Sequence, residues 1–291
     1  MYSEARQARI FRGWLGPFEH CGWRVGQIAC EAVTGDPIAE SSPKSFRKYK
    51  KSPVVEALCE LIFEGSQWDE TIVGQFYERV KDKFPIRRPV EMRKAEITLS
   101  GDEPTAGILR LPPQTQFLNT TGSSLVQIRK DLLAVNQLRP YPNFAVWEPN
   151  IYSALGSYWE LAKPQGVKRI GLRYINRIVI PQDVPLPMEK YYNIYPSIPT
   201  TWKDEHGPFM IRVQLSCEQK GHSVLVTFAS TSSEKPSETE HVLDLYGIFQ
   251  AETPLEESAV RKETRIAHEN VNKVFEGSIK DDLRMLFEPE N

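Results

Sequence analysis

The sequence predicts an α+β fold in which a largely antiparallel sheet carries its helices on one face. The first observation is that most predicted strands follow one another without an intervening helix, which is typical of antiparallel sheets. The second is a composition of 40 % hydrophobic and 25 % charged residues over 291 positions, which indicates a folded globular protein. The third is a long amphipathic pattern near the C-terminus, which predicts a closing helix.

Composition and charge argue against several classes of function. The formal net charge of −2 gives no overall attraction to nucleic acids or anionic lipids. The apolar runs are too short to span a membrane, and the N-terminus lacks a secretory signal pattern, so we expect a soluble cytoplasmic protein. No CxxC pair occurs, which argues against a zinc ribbon or a thioredoxin-type site. The four cysteines are Cys21, Cys30, Cys59 and Cys217.

The sequence pattern changes at about residue 49. Residues 1–48 contain several glycines and aromatic residues without a sustained period, and we predict an N-terminal extension that is flexible or not part of the core. The basic stretch PKSFRKYKK (43–51) could contact a polyanion, although a solvated linker is the more ordinary interpretation. Residues 49–291 are predicted to form a single α+β domain.

The first half of the core opens with a strand at 54–64, VVEALCELIFE, because every second residue from Val55 to Phe63 is apolar. After a turn at Gly65-Ser66, Asp69 is the expected N-cap of a helix that reaches about Phe84 and is stopped by a proline. Alternating segments then predict strands at 95–99, 107–111, 115–119, 124–129 and 132–138.

The second half begins with a helix predicted from Pro149, where proline suits the first helical position, to about Ala162. The strongest strand pattern follows at 168–180, and then a proline- and tyrosine-rich excursion at 181–208, a length that is often functional or mobile. The last elements are strands at 209–218, 222–230 and 241–246 and a helix at 255–287 that breaks near Gly277.

Two overall arrangements fit these elements. The one we prefer is a contiguous sheet with the C-terminal helix laid across it, which is a helix-grip-like architecture. The alternative is a pair of related halves, each a small sheet with one helix.

Two strands carry opposite charges at the same spacing. The strand at 54–64 presents glutamates on one face, and the strand at 168–180 presents arginines, in each case every four residues. Our hypothesis is that the strands are neighbours with their charged faces on the same side, where opposite pairs contribute about 0.2–1 kcal/mol each. The alternative is two half-buried strands with solvated outer faces. The ladders are Glu56, Glu60 and Glu64, and Arg169, Arg173 and Arg177.

The arginine ladder is the leading candidate for a site. Guanidinium groups bind phosphate or carboxylate bidentately, and Gly171 between them would let a ligand approach the backbone. His268 on the last helix is a candidate for a helix–sheet hydrogen bond or, as the alternative, a general base. The candidate ligand-binding residues are Arg169, Arg173, Arg177, Asn176, Glu56, Glu60 and His268.

No sequence motif commits the chain to a reaction. The five histidines form no H-E-x-x-H pattern, and neither a G-x-S-x-G nor a Walker-type motif occurs. We therefore predict no metal ligands, no cofactor and no catalytic residues.

Five segments resemble a sporadically distributed, functionally uncharacterised bacterial family of about 250 residues, the size of a large single domain. They are SPVVEALCELIFEG (52–65), LVQIRKDLLAVN (125–136), NFAVWE (143–148), RIGLRYINRI (169–178) and HENVNKVFEGSIKDDLRMLF (268–287). The resemblance implies one domain beginning near Tyr49 and an origin in mobile or defence-linked gene sets. By position, its motif residues here are Glu56, Trp147, Arg173, Tyr174, Asn176 and His268.

The leading functional hypothesis is a non-enzymatic binding or interaction module that engages an anionic small molecule or a protein partner. The alternative is a hydrolase or nuclease-type enzyme that uses Glu56, Glu60 or His268 in a sheet-lined cavity. A third is a structural subunit of a complex, which an exposed apolar patch or an unpaired strand edge would indicate.

Overall fold

The computed structural model describes residues 47–90, 93–100, 103–110, 114–181, 186–197 and 208–290, apart from 232, 234 and 236. The extension predicted at 1–48 lies almost entirely outside the described residues, as do Cys21, Cys30 and part of the excursion at 181–208. The described residues divide into two units. One is an antiparallel hairpin of β3 (Arg93–Ser100) and β4 (Glu103–Arg110), so the hairpin is grouped apart from the rest of the range 49–291.

The larger unit is built on a sheet that contains nine strands among the described residues, with antiparallel pairing throughout. Its spatial order is β2-β5-β6-β7-β1-β8-β11-β10-β9. The strands are β1 (Val54–Glu64), β2 (Ile86–Val90), β5 (Gln114–Leu118), β6 (Ser124–Arg129), β7 (Leu132–Leu138), β8 (Gly166–Pro181), β9 (Met210–Ser216), β10 (His222–Thr231) and β11 (Glu238–Leu255).

The helices of this unit are α1 (Thr71–Val80), α2 (Phe144–Ala162), α3 (Met188–Tyr191), α4 (Glu257–Ser278) and α5 (Asp281–Leu286). α2 packs on β7, and α4 packs on β8, β10 and β11. Beneath them lies the apolar face of the sheet, where Ile170, Leu172 and Leu245 are completely buried. The predicted α+β class, with an antiparallel sheet and a C-terminal helix, is confirmed.

The two arrangements that the sequence left open are both present. In the first half, β1 is followed by α1 and by a meander whose last strand, β7, pairs with β1, and then by α2. In the second half, β8 is followed by α3 and by a meander whose last strand, β11, pairs with β8, and then by α4. β1 and β8 pair with each other at the centre. One contiguous sheet is therefore made of two topologically equivalent halves, with β2 added at one edge.

Several element boundaries differ from the predictions for local reasons. α2 begins at Phe144 rather than Pro149, because the Asn143 side chain caps it by accepting a hydrogen bond from the Val146 N–H at 3.0 Å. α1 ends four residues before the predicted end at Phe84. β2 was not predicted because it contains Pro89, which an edge strand tolerates.

The C-terminal helical region is broken close to the predicted position at Gly277. α4 ends at Ser278, and Ile279 adopts an extended conformation and forms an isolated bridge with Tyr192 before α5 begins. In the part of the chain that the structure describes, no helix is long and apolar enough to cross a membrane.

Candidate functional site on the polar face of the central strands

The two charged strands are neighbours. β1 and β8 pair antiparallel, with Glu60 opposite Gly171, and the side chains of both ladders lie on the sheet face opposite the helices. Nη2 of Arg169 donates to Oε1 of Glu60 over 2.8 Å. The predicted adjacency is therefore observed, and one direct bond joins the two ladders.

The other two arginines bind carboxylates of β11 instead. Nε of Arg173 donates to Oδ1 of Asp244 over 2.7 Å and Nη2 donates to the other carboxylate oxygen, so the contact is bidentate. Arg177 donates through Nη2 to Glu240. β11 takes this position because it pairs with β8 on the side away from β1. Each arginine of the ladder thus has its own carboxylate partner.

The ion pair of Arg173 and Asp244 is only partly accessible to solvent, with side chains 20 % and 13 % exposed. Burial disfavours the guanidinium charge, but the Asp244 carboxylate outweighs it and raises the pKa of Arg173 above its ordinary value. Arg173 is therefore held as a fixed cation at all physiological pH values.

Glu56 and Glu64, the remaining glutamates, make different contacts. Oε1 of Glu56 accepts a hydrogen bond from the Asn136 side chain over 2.6 Å. Asn136 accepts from Gln127, and Gln127 accepts in turn from Gln114 and Gln116 on β5. This chain of hydrogen bonds crosses four strands. Each side-chain amide donates to the next residue in the chain, and the last of them, Asn136, donates to the Glu56 carboxylate. Glu64 lies at the exposed end of its strand, 3.8 Å from Lys168.

Gly171 has a different role from the one predicted. A Cβ atom at this position would come within 2.4 Å of the Tyr246 hydroxyl oxygen, so the tyrosine ring fills the space that we assigned to a ligand. The Tyr246 hydroxyl donates to Glu60 over 3.2 Å. Burial and then the Glu60 charge raise the pKa of Tyr246, which keeps this donor protonated.

We expect Gly171→Ala to destabilise the protein by about 1–3 kcal/mol, because the added methyl group must displace a ring that is held by its contacts with Glu60 and Arg173. The measurement is urea unfolding. Gly74→Ala is the matched control, since a Cβ there meets nothing within 4 Å and alanine favours the helix by about 0.5–1 kcal/mol. An unchanged midpoint for Gly171→Ala would show that Tyr246 does not need this space.

Two of the predicted site residues lie on the opposite face of the sheet. Asn176 is buried, and its side-chain amide donates to the Leu243 backbone carbonyl over 2.9 Å. His268 on α4 lies 3.1 Å from the Tyr174 hydroxyl through Nδ1 and stacks on Phe144 with ring centroids 4.0 Å apart. The structure therefore brings together Glu56, Glu60 and the three arginines, and separates Asn176 and His268 from them by the thickness of the sheet.

The environment of His268 explains its protonation state. Burial lowers the pKa of His268 to about 4, and the Glu148 charge only partly opposes this. The ring is therefore neutral at pH 7 and bonds to Tyr174 in the helix–sheet contact that we predicted. An enzyme site that combines Glu56 or Glu60 with His268 in one cavity is not formed by this arrangement.

Three of the motif residues from the family resemblance meet in this aromatic cluster. Trp147 and Tyr174 have ring centroids 6.3 Å apart, and Tyr174 and His268 have centroids 5.9 Å apart. They come from α2, β8 and α4, so the cluster holds both long helices against the central strand. Their positions fit a structural role in the core.

The sequence analysis did not identify Glu240, Asp244 and Tyr246 as site residues. They lie on β11 and complete the polar face, which is the sheet face that carries the glutamate and arginine ladders. The predicted strand at 241–246 contains Asp244 and Tyr246 but leaves out Glu240, which belongs to β11. The available signal was the four-residue spacing of Glu240 and Asp244, which matches the spacing of the arginines. Within the described residues, no group of three or more His, Cys, Asp or Glu side chains has the arrangement of a metal site.

Comparison with known proteins adds no assignment. No protein-family model matches the chain, and no significant match occurs among curated proteins.

Proposed function

We propose that this protein is a non-enzymatic binding module whose arginine ladder engages an extended acidic segment of a protein partner. The observation that carries this proposal is the row of three arginines on the central strand, each 20–29 % exposed and each held by its own carboxylate. Because stability alone gains little from partly buried ion pairs, their presence on the central strands favours a recognition role.

The spacing of the ladder selects an extended partner. Successive arginines are four residues apart, which corresponds to about 13 Å along a strand. Separate carboxylates hold Arg169, Arg173 and Arg177 in place, so they do not converge on one small anion. Acidic side chains distributed along a peptide match this separation better than a single phosphate does.

The Asp244 carboxylate does not use all the N–H donors of Arg173. A guanidinium has five N–H groups, and the bidentate contact with Asp244 uses only two of those on Arg173. Asp244 therefore orients the group, and a partner carboxylate can bind to the remaining N–H groups.

The experiment measures binding of a fluorescent poly-glutamate peptide by anisotropy at low salt, with a single-stranded DNA oligonucleotide as a second probe. We expect the peptide to bind and Arg173→Gln with Arg177→Gln to raise its Kd about tenfold or more. Arg79→Gln with Lys81→Gln removes the same charge from exposed positions at the C-terminal end of α1 and should leave the Kd unchanged.

If the folded Arg173/Arg177 variant bound the peptide with unchanged affinity, the arginine ladder would not be the binding site. Binding of the oligonucleotide in preference to the peptide would replace the acidic protein partner by a nucleic acid.

A further inference from the structure

The two outer edges of the sheet differ in how they are protected. β2 is only five residues long and carries Pro89 beside two arginines, Arg87 and Arg88, which are features that block pairing with another strand. β9 is seven residues long, has neither proline nor lysine, and pairs with β10 without a register shift. No described strand pairs with the outer side of β9. Among the described strands, β9 is thus the edge that is open to a further strand.

The hydrogen bonds to β10 show which backbone groups of β9 point outward. Cys217 N–H donates to the His222 carbonyl over 3.1 Å, and Ser230 N–H donates to the Phe209 carbonyl over 3.2 Å. Since hydrogen-bonded pairs alternate along antiparallel strands, the odd-numbered residues of β9 bond to β10. The even-numbered residues from Met210 to Ser216 therefore direct their N–H and C=O groups away from the sheet.

The side chains of β9 add an apolar stripe on the helix-bearing face. Val213 and Leu215 lie opposite the buried residues Val226 and Val224 of β10, but they are 42 % and 40 % exposed. α4 packs on β10, and the described helices make no comparable contact with β9. Hydrophobic side chains on an open edge strand are typical of a pairing surface.

We propose that β9 pairs antiparallel with β9 of a second copy of this chain, about a twofold axis at Val213. In this register Ile211 faces Leu215 of the second copy and Arg212 faces Gln214 of the second copy. Apolar residues thus meet apolar residues, and the only charge on the strand meets an amide. A register centred on Arg212 would instead bring two arginines together, which is destabilising.

The hydrogen-bonding pattern is compatible with the same register. Even-numbered residues meet even-numbered residues, so the outward N–H and C=O groups of one strand face those of the other. Val213 meets Val213 of the second copy as a non-hydrogen-bonded pair, for which the Cα atoms lie about 4.5 Å apart. The pairing is isologous, as in most homodimers, and it continues the sheet from one copy into the next.

Sedimentation velocity of the full chain over a range of concentrations tests this proposal. We expect a dimer that Val213→Lys converts to a monomer, because two lysines would then meet at the axis. Ile86→Lys introduces the same change at the opposite edge, where the exposure of Ile86 is 45 %, and should leave the dimer intact.

A cross-link provides an independent readout. Val213→Cys places two thiols within the Cα range of about 4.4–6.8 Å that a disulfide requires, so mild oxidation should give a covalent dimer on a non-reducing gel. Val146→Cys, at a position that is 59 % exposed on α2, is the matched control and should cross-link far less. A monomer at all concentrations, a dimer that survives Val213→Lys, or equal cross-linking of the two cysteine variants would each overturn the proposal.

Discussion

Asp244→Leu is expected to lower the free energy of unfolding by about 3 kcal/mol, which is typical of removing one partner from a buried ion pair. The loss arises because Arg173, with a side chain that is only 20 % exposed, keeps its charge but loses its bidentate acceptor. Glu60 and Glu240 already accept from Arg169 and Arg177. Glu56, whose charge also acts on Arg173, already accepts from Asn136, so none of these carboxylates takes over the bidentate contact. Urea unfolding at pH 7 measures the effect.

The control for this prediction removes both charges. Arg173→Met combined with Asp244→Leu replaces the ion pair by apolar side chains of similar size, and such replacements are often neutral or stabilising. We therefore expect the double variant to recover most of the stability that the single variant loses. If the single variant were as stable as the parent protein, the contact between Arg173 and Asp244 would not contribute to folding.

Acidification is expected to destabilise the protein through His268. Its pKa is about 4 in the folded protein and near 6.5 when unperturbed, so the unfolded chain binds the proton first as the pH falls. The contribution of neutral His268 to the free energy of unfolding is fully present above about pH 7. It decreases as the pH falls toward 4 and does not change further below that pH. Linkage gives a loss of about 2 kcal/mol between pH 7 and pH 5.

The comparison with His268→Gln isolates this contribution from the other titrating groups. Glutamine does not titrate, so the difference in unfolding free energy between pH 7 and pH 5 should be smaller in the variant by about 2 kcal/mol. Only the change with pH matters, because the lost bond to Tyr174 lowers stability equally at both pH values. Equal pH dependence in the two proteins would mean that His268 is accessible to protons in the folded state.

Residue alternation was sufficient to predict the central features of the fold. Every second residue of β1 from Val55 to Phe63 is apolar, as is nearly every second residue of β8 from Ile170 to Ile180, and the predicted bounds of both strands lie within two residues of the observed ones. An element boundary that depends on a single side chain is harder to predict. The Asn143 side chain determines where α2 begins, and no periodicity in the sequence marks that position. β2 was missed since proline normally opposes strand formation, and only its edge position makes Pro89 acceptable.

The candidate site was predictable only in part, for a topological reason. Matching charge spacing on β1 and β8 indicated that the two strands are neighbours. The second neighbour of β8 is β11, which is distant in sequence, so the partners of Arg173 and Arg177 could not be inferred from local pattern. The separation of His268 from the glutamates likewise depends on which face of the sheet α4 covers.

The most direct test of the proposed binding surface uses the variant that keeps the protein stable and removes the central ion pair. Poly-glutamate binding is measured for Arg173→Met with Asp244→Leu and for the parent protein under identical low-salt conditions. If the ion pair serves recognition, the free energy of unfolding stays near the parent value while the Kd rises about tenfold. A double variant that binds the peptide as tightly as the parent protein would show that the ion pair of Arg173 and Asp244 does not serve recognition.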